Sequence, residues 1–166
     1  VLVLGRPGAD PENVAPATVE AAIHECARAV MIAPPNPGEG PFDSVIVAWN
    51  GSFQAARAVE YALPFIAKAK EITILVAGST ADDVGAPYLA RNLGRHGIKT
   101  TIDAIDPGAV SARARGRALL DYTHGKGSSL LVMGAYGRGQ VMSFLGMGGA
   151  TAKVISSCRV PLLMAH

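Results

Sequence analysis

The stretch from Leu130 to Thr151, LLVMGAYGRGQVMSFLGMGGAT, decides the fold class. It begins with a short aliphatic run that is typical of a buried strand and continues into a segment rich in glycine. A helical pattern follows at 150–157, and a last aliphatic run occupies Pro161–Ala165. A strand, a glycine-rich turn and a helix in this order can bind phosphate. Glycines let backbone amides approach an anion, and the helix N-terminus adds partial positive charge.

Alternating strand and helix patterns precede this segment from Phe42 onward. Strands are predicted at Val45–Ala48, Ile72–Ala77, Thr100–Ile105, Leu130–Gly134 and Pro161–Ala165, and helices after Ser52, at Ala86–His96, Val110–Tyr122 and Ala150–Ser157. Because each strand is short and aliphatic, right-handed crossovers and a parallel sheet are expected. The predicted class is α/β, with a doubly wound five-stranded parallel sheet in the order 3-2-1-4-5.

The segment 1–34 contains too few elements to close a core of its own. It shows a strand at Val1–Gly5, a helical pattern at Ala17–Arg28 and a strand at Val30–Ala33, and the chain starts without Met. The run VLVLG resembles LLVMG at 130–134, and a Cys, an Arg and an apolar strand follow in the same order in both places. We therefore predict that 1–34 is the final strand-helix-strand of an upstream copy, 35–41 a linker, and 42–166 a complete domain.

Composition excludes several classes of protein. Hydrophobic residues make up 49% and charged residues 17% of the 166 residues, which excludes a disordered chain. A net charge of +2 is too small to indicate a nucleic-acid or membrane surface, and the apolar runs have strand length. The two cysteines do not make a disulfide framework. We expect a cytoplasmic protein that binds neither nucleic acid nor membrane.

No group of residues in the sequence suggests a catalytic centre or a metal site. His24, His96 and His124 lie on separate predicted elements without ligand spacing, and no serine has the context of a nucleophile. The glycine-rich turn is also neither a Walker loop nor a dinucleotide fingerprint, because its spacing differs from both. No catalytic residue and no metal ligand is therefore predicted.

The turn and its surroundings resemble the nucleotide signature of the universal stress protein family. The resemblance rests on Met133-Gly134-Ala135-Tyr136-Gly137, the glycines after it, the terminal strand PLLM, and Asn50-Gly51-Ser52 after the strand at 45–48. It covers residues 42–166, and 1–34 as part of a second copy. It implies a tandem-type member of the family with an adenine nucleotide alpha hydrolase-like, Rossmann-like fold.

The resemblance also implies an adenine-nucleotide site. In nucleotide-binding members the end of the first strand holds adenosine, the end of the second lines adenine, and the turn holds ribose and phosphates. The residues that correspond are Asn50, Val76, Ala77, Met133, Gly134, Gly137, Gly139, Gly148, Gly149 and Thr151. The implied ligand is ATP, AMP or another adenine nucleotide, with Mg²⁺ as its accompanying ion. Weak ATP hydrolysis is the most activity expected.

Two departures from the family pattern leave an alternative open. Asn50 stands where the family usually has Asp, and ten residues rather than nine separate Gly137 from Gly148. Trp49 could also fill the space for adenine. The alternative is a nucleotide-free universal stress protein that acts as a scaffold or dimerisation module. A related enzyme that transfers adenylyl groups is disfavoured, because its His-x-x-His and Ser-Gly-Gly motifs do not occur at the turn.

The last strand predicts how the chain assembles. Pro161–Ala165 is aliphatic and would form an unpaired sheet edge, which proteins avoid. We predict that it pairs antiparallel with Val30–Ala33 in a pseudo-dimer of tandem domains, or with its equivalent in a homodimer. A contact between Met31 and Leu163 would indicate this pairing.

Overall fold

The computed structural model describes residues 1–8, 13–38, 40–106, 111–136 and 149–166. These residues form one seven-stranded sheet with helices on both faces. The strands are β1 (Leu2–Gly5), β2 (Val30–Ala33), β3 (Ser44–Ala48), β4 (Glu71–Ala77), β5 (Thr101–Ile105), β6 (Leu130–Gly134) and β7 (Leu162–Ala165). The helices are α1 (Pro16–Glu25), α2 (Phe53–Ile66), α3 (Ala86–Arg95), α4 (Ala112–Gly125) and α5 (Ala150–Ser157).

The strand order is β1-β2-β7-β6-β3-β4-β5, and every neighbouring pair is parallel except β2 with β7. The predicted order 3-2-1-4-5 describes the strands of residues 42–166, but the whole sheet has more than five strands and is not wholly parallel. Strands β1 and β2 continue the same sheet beyond β7, because β7 would otherwise leave an aliphatic edge without hydrogen-bond partners. The strands of residues 42–166 occupy consecutive positions in it, as β5-β4-β3-β6-β7.

The antiparallel contact joins the segment 1–33 to the end of the chain. Val30 lies opposite Met164, and Met31 lies opposite Leu163, the pair expected if the two strands are antiparallel neighbours. All four side chains are buried. The interpretation of this contact as one between tandem copies, or between the chains of a dimer, stays a prediction.

Local signals in the sequence explain where the helices begin and end. Ser52 is the N-cap of α2, since its hydroxyl accepts from the Ala55 backbone N–H at 3.2 Å. Gly97 has φ +77° just after α3, in the left-handed conformation that glycine favours at a helix end. Helix α4 starts at Ala112, after Ser111, which caps it through the Ala114 N–H. Val110, the predicted start of this helix, lies outside the described residues. None of the described helices has the length and apolar character needed to cross a membrane.

The sheet separates two hydrophobic cores. Val45 and Val47 of β3 face one core, where α2 and α3 pack, while Ile46 faces the other core, built with α1, α4 and α5. This alternation follows from the two-residue period of a strand. Ile32 of β2 packs in the second core together with Leu131 of β6. The segment 1–33 therefore shares a core with the rest of the chain.

This shared core predicts that Ile32→Ala destabilises the whole chain. Ile32 is 2% exposed, and truncating such a side chain costs about 3 kcal/mol of unfolding free energy. Trp49, the single tryptophan, lies outside the segment 1–33, so its fluorescence during urea unfolding monitors the remainder of the protein. We expect its transition to move to lower urea.

Val3→Ala is the matched control, because Val3 is 60% exposed on β1 and its truncation should cost less than about 1 kcal/mol. An unchanged Trp49 transition in the Ile32 variant would mean that the two parts unfold independently.

Candidate functional site

A cleft of about 140 Å³ lies at the carboxyl ends of β3, β4 and β6. The chain leaves β3 through α2 on one face of the sheet and leaves β6 toward α5 on the other. Open α/β sheets bind ligands at such a switch point. The described residues that line the cleft are Ala48, Trp49, Asn50, Leu75, Ala77, Arg115, Gly116, Leu119, Met133, Gly134 and Ala150.

The structure brings four of the predicted site residues together in this cleft: Asn50, Ala77, Met133 and Gly134. Val76 does not face it. Its side chain is 1% exposed and belongs to the core under α2 and α3. Because neighbouring strand residues point to opposite faces, Leu75 lines the cleft beside Ala77 instead. The role predicted for the Val76 backbone stays a prediction.

The predicted residues of the glycine-rich turn are only partly described. Gly137, Gly139 and Gly148 lie outside the described residues. Gly149 is the N-cap residue of α5, and Thr151 lies in the first turn of that helix. The Thr151 hydroxyl accepts from the Tyr136 backbone N–H at 3.4 Å, so it holds the start of α5 close to the end of β6. Ala150, between Gly149 and Thr151, lines the cleft.

Asn50 combines a local structural role with free hydrogen-bonding capacity. Its Oδ1 accepts from the Ser52 backbone N–H at 3.1 Å, which forms a turn just before α2. The side-chain amide donates to no described residue, and an amide oxygen can accept a second hydrogen bond. The exposed Asn50 can therefore contact a ligand without giving up the turn.

Trp49 forms an apolar wall of the cleft and is held in place. Its indole N–H donates to the Val84 carbonyl oxygen at 2.7 Å, and its backbone N–H donates to Leu75 at 2.8 Å. Gly51 permits this contact with the 84–85 segment, because it has φ +70° and a Cβ there would lie 2.9 Å from the Val84 oxygen. The fixed ring still leaves the cleft volume open beside it.

Helix α4 forms one side of the cleft, and none of its residues is among the predicted site residues. Arg115 and Gly116 lie four and three positions before Leu119, and residues at these spacings share a side of a helix. Arg115 is the one charged residue among the described residues of the lining. Its guanidinium favours an anionic ligand. The glycine within a helical pattern was the available sequence signal for a close approach at this position.

Two glycines of the cleft are required by the packing of helices. A Cβ on Gly134 would lie 2.5 Å from the Ala55 backbone nitrogen and 2.7 Å from the Gln54 carbonyl carbon. A Cβ on Gly116 would lie 2.8 Å from the Ala150 carbonyl oxygen. These distances are too short for any side chain, so Gly134 lets α2 begin directly against β6. The packing of α2 against β6 therefore requires Gly134 whether or not a ligand binds.

An aromatic cluster joins helix α1 to the start of the turn. Tyr136, with φ +52°, stacks on His24 of α1 at 4.8 Å between ring centroids, and His24 meets His166 edge-on at 4.5 Å. Burial, and secondly the charge of Glu20, raises the pKa of Tyr136 to about 12. Tyr136 therefore stays neutral near neutral pH, and its ring packs against His24 at the start of the turn.

No cluster of three metal-binding side chains occurs in the described part of the chain. An apolar cleft with one arginine, one asparagine and no carboxylate among its described lining is suited to an organic anion.

Solved structures share this architecture. A universal stress protein from Archaeoglobus fulgidus DSM 4304 matches with a TM-score of 0.73 and 23% identity, over 98% of this chain. The chain has the fold of a universal stress protein. It spans 61% of the length of that structure, and at 23% identity the likeness establishes the fold alone.

A second structure, of hypothetical protein MJ0577, matches with a TM-score of 0.48 and 14% identity, over 74% of this chain and 94% of that one. This similarity is too low to support any argument about function. No protein-family model matches the sequence. No curated protein matches it either.

The packing of Gly134 predicts that Gly134→Ala destabilises the protein without any ligand. The new methyl group must displace the backbone at the start of α2, which should lower the free energy of unfolding by about 2 kcal/mol in urea denaturation.

Gly94→Ala is the matched control. Nothing lies within 4 Å of a Cβ there, and alanine in a helix should raise stability by up to about 1 kcal/mol. A Gly134 variant as stable as the Gly94 variant would contradict the packing role.

Proposed function

We propose that the chain is a stress-response protein of the universal stress family and that its cleft binds an adenine nucleotide, ATP or AMP. The observation that carries the proposal is the cleft at the switch point between β3 and β6, in the fold of a universal stress protein. Fold alone does not define function. The proposal therefore rests on what the lining residues can bind.

The adenine ring fits the apolar part of the cleft. The apolar surface of this part of the cleft comes from Trp49, Leu75, Leu119 and Met133. The described residues enclose about 140 Å³, less than the roughly 300–1,000 Å³ of sites that hold a whole drug-sized ligand. The base would occupy this volume, and the ribose and phosphates would extend past Gly134 toward the start of α5 at Ala150.

Asn50 and Arg115 would supply the polar contacts. The Asn50 amide and the second lone pair of its Oδ1 can bond a ribose hydroxyl. The Arg115 guanidinium offers a planar set of donors and a permanent positive charge for phosphate. The nucleotide would carry Mg²⁺ as its own counter-ion.

We further propose that residues 1–34 end an upstream copy of this domain and that 35–41 is the linker. The antiparallel pairing of β2 with β7 supports this, because it joins the ends of the two strand-helix-strand units edge to edge. In a homodimer the equivalent strands would meet in the same way.

The second candidate is a nucleotide-free scaffold of the same fold. Two observations favour it: the small described volume of the cleft, and the Asn50 Oδ1 that already accepts from Ser52. Asn50 is a weaker partner for ribose than a carboxylate would be. Binding measurements distinguish this candidate from the first.

Isothermal titration calorimetry of the full chain with ATP tests the proposal. We expect saturable binding that Ala77→Leu weakens by about tenfold or more, equal to about 1.4 kcal/mol, because the larger side chain enters the cleft. Ala104→Leu, on the exposed surface of neighbouring β5, is the control and should bind normally. Absence of any heat of binding, together with no nucleotide in the supernatant of denatured protein, would favour the scaffold.

Asn50→Asp should strengthen ATP binding by about fivefold, because an ionised acceptor makes a stronger hydrogen bond than an amide. The carboxylate can keep the hydrogen bond from the Ser52 N–H, so the start of α2 should stay intact. The dissociation constants from the same calorimetry measure the change. Equal or weaker binding by this variant would show that Asn50 does not contact the ribose.

A further inference from the structure

The last turn of helix α1 contacts the start of the turn that follows β6. His24 of α1 stacks on Tyr136, with ring centroids 4.8 Å apart and ring planes inclined by 29°. His24 also meets the ring of His166, which directly follows β7, edge-on at 4.5 Å. Since His24 belongs to the segment 1–34, these ring contacts join that segment to the rest of the chain at the carboxyl edge of β6 and β7.

Tyr136 has a conformation that its surroundings must stabilise. Its φ of +52° lies in the left-handed region, which costs a residue with a side chain about 1 kcal/mol or more. Its hydroxyl is buried and has no hydrogen-bond partner among the described residues, which is a second cost. A residue with such costs keeps its conformation only when neighbouring groups hold it there. The stacked ring of His24 is one of these groups.

Tyr136 in turn holds one wall of the nucleotide cleft. Its backbone N–H donates to the Thr151 hydroxyl at 3.4 Å, in the first turn of α5. Ala150, just before Thr151, lines the cleft, and so does Gly134, two residues before Tyr136. If Tyr136 moved, the start of α5 would lose this hydrogen bond, and the wall at Ala150 would no longer be fixed to the end of β6.

A second contact of the same kind shows that the stack is part of a repeated arrangement. Arg6 lies in the turn after β1, as Tyr136 lies in the turn after β6. The Arg6 guanidinium donates to the carbonyl oxygen of Cys158, the C-cap residue of α5, at 3.1 Å. Each strand-helix-strand unit therefore extends from the turn after its first strand to the end of the other unit's helix.

We propose that His24 is a positioning residue of the nucleotide site and that the segment 1–34 regulates nucleotide binding through the stack on Tyr136. This inference rests on the proposed binding of an adenine nucleotide in the cleft. Without the stack, Tyr136 leaves its left-handed conformation in a fraction of the molecules, and the apparent affinity falls by that fraction. A partner that moved α1 away from Tyr136 would lower the affinity in the same way.

Isothermal titration calorimetry of full-chain variants with ATP tests the proposal. His24→Ala should weaken binding by about fivefold, equal to about 1 kcal/mol, which is the usual contribution of a stacked aromatic pair. His24→Phe restores a ring that can stack, so its dissociation constant should lie within about twofold of that of the unchanged chain. Glu25→Ala, at the exposed neighbouring position of α1, is the matched control and should bind normally.

Tyr136→Phe separates the ring from its hydroxyl. The variant keeps the stacked ring and removes only the hydroxyl that has no partner, so it should bind ATP as the unchanged chain does. A loss of affinity as large as that of His24→Ala would contradict the role of the stacked ring.

Amide chemical shifts of the His24→Ala variant without ligand supply a readout that does not depend on nucleotide. We expect them to change at 134–136 and at 150–151, and changes confined to α1 would overturn the inference. Unchanged ATP affinity of His24→Ala, in a chain that otherwise binds ATP, would overturn the inference and leave the proposed function intact. Failure of His24→Phe to restore binding would also overturn it. Absence of ATP binding by the unchanged chain would overturn both.

Discussion

The parallel pairing of β3 with β6, and the close approach of α2 to the end of β6, control the rest of the structure. Ala48 pairs with Met133, so the chain leaves both strands at the same level of the sheet. Gly134 then lies directly under the first turn of α2, where no side chain fits. Since α2 and α5 diverge to opposite faces from this point, a gap opens between them. The cleft is the consequence of that divergence.

The two edges of the sheet have different chemistry. At the carboxyl edge the cleft is lined by Trp49, aliphatic side chains and one arginine. At the amino edge a second cleft, of about 220 Å³, is lined among the described residues by glycines, prolines, serines, Phe42, Val160 and Arg159. The five mutually parallel strands β3 to β7 produce this separation, because their carboxyl ends all lie at one edge and their amino ends at the other. The segment 1–34 adds to the sheet through β2 and reaches the carboxyl edge where His24 stacks on Tyr136.

The sequence predicts the local elements well because their signals are local. Short aliphatic runs identify the strands, and Ser52 identifies the start of α2 through a single hydrogen bond. The order of the five strands in residues 42–166 follows from their crossovers, and the aliphatic edge at Pro161–Ala165 indicates the antiparallel pairing with β2 that extends the sheet to seven strands. The alternation of side chains along a strand explains why the Val76 side chain points into the core and not into the cleft. Arg115 lines the cleft through the packing of α4 at the sheet edge, which no single-sequence pattern reports.

The central claim is that the switch point between β3 and β6 receives a purine nucleotide. Amide chemical shifts of the full chain during addition of ATP locate the ligand most directly. We expect progressive shifts at residues 48–50, 75–77 and 133–134, while the amides of β1 and β2 stay unmoved. Shifts absent from those three segments at saturating ATP, or found only at the opposite edge of the sheet, would contradict it.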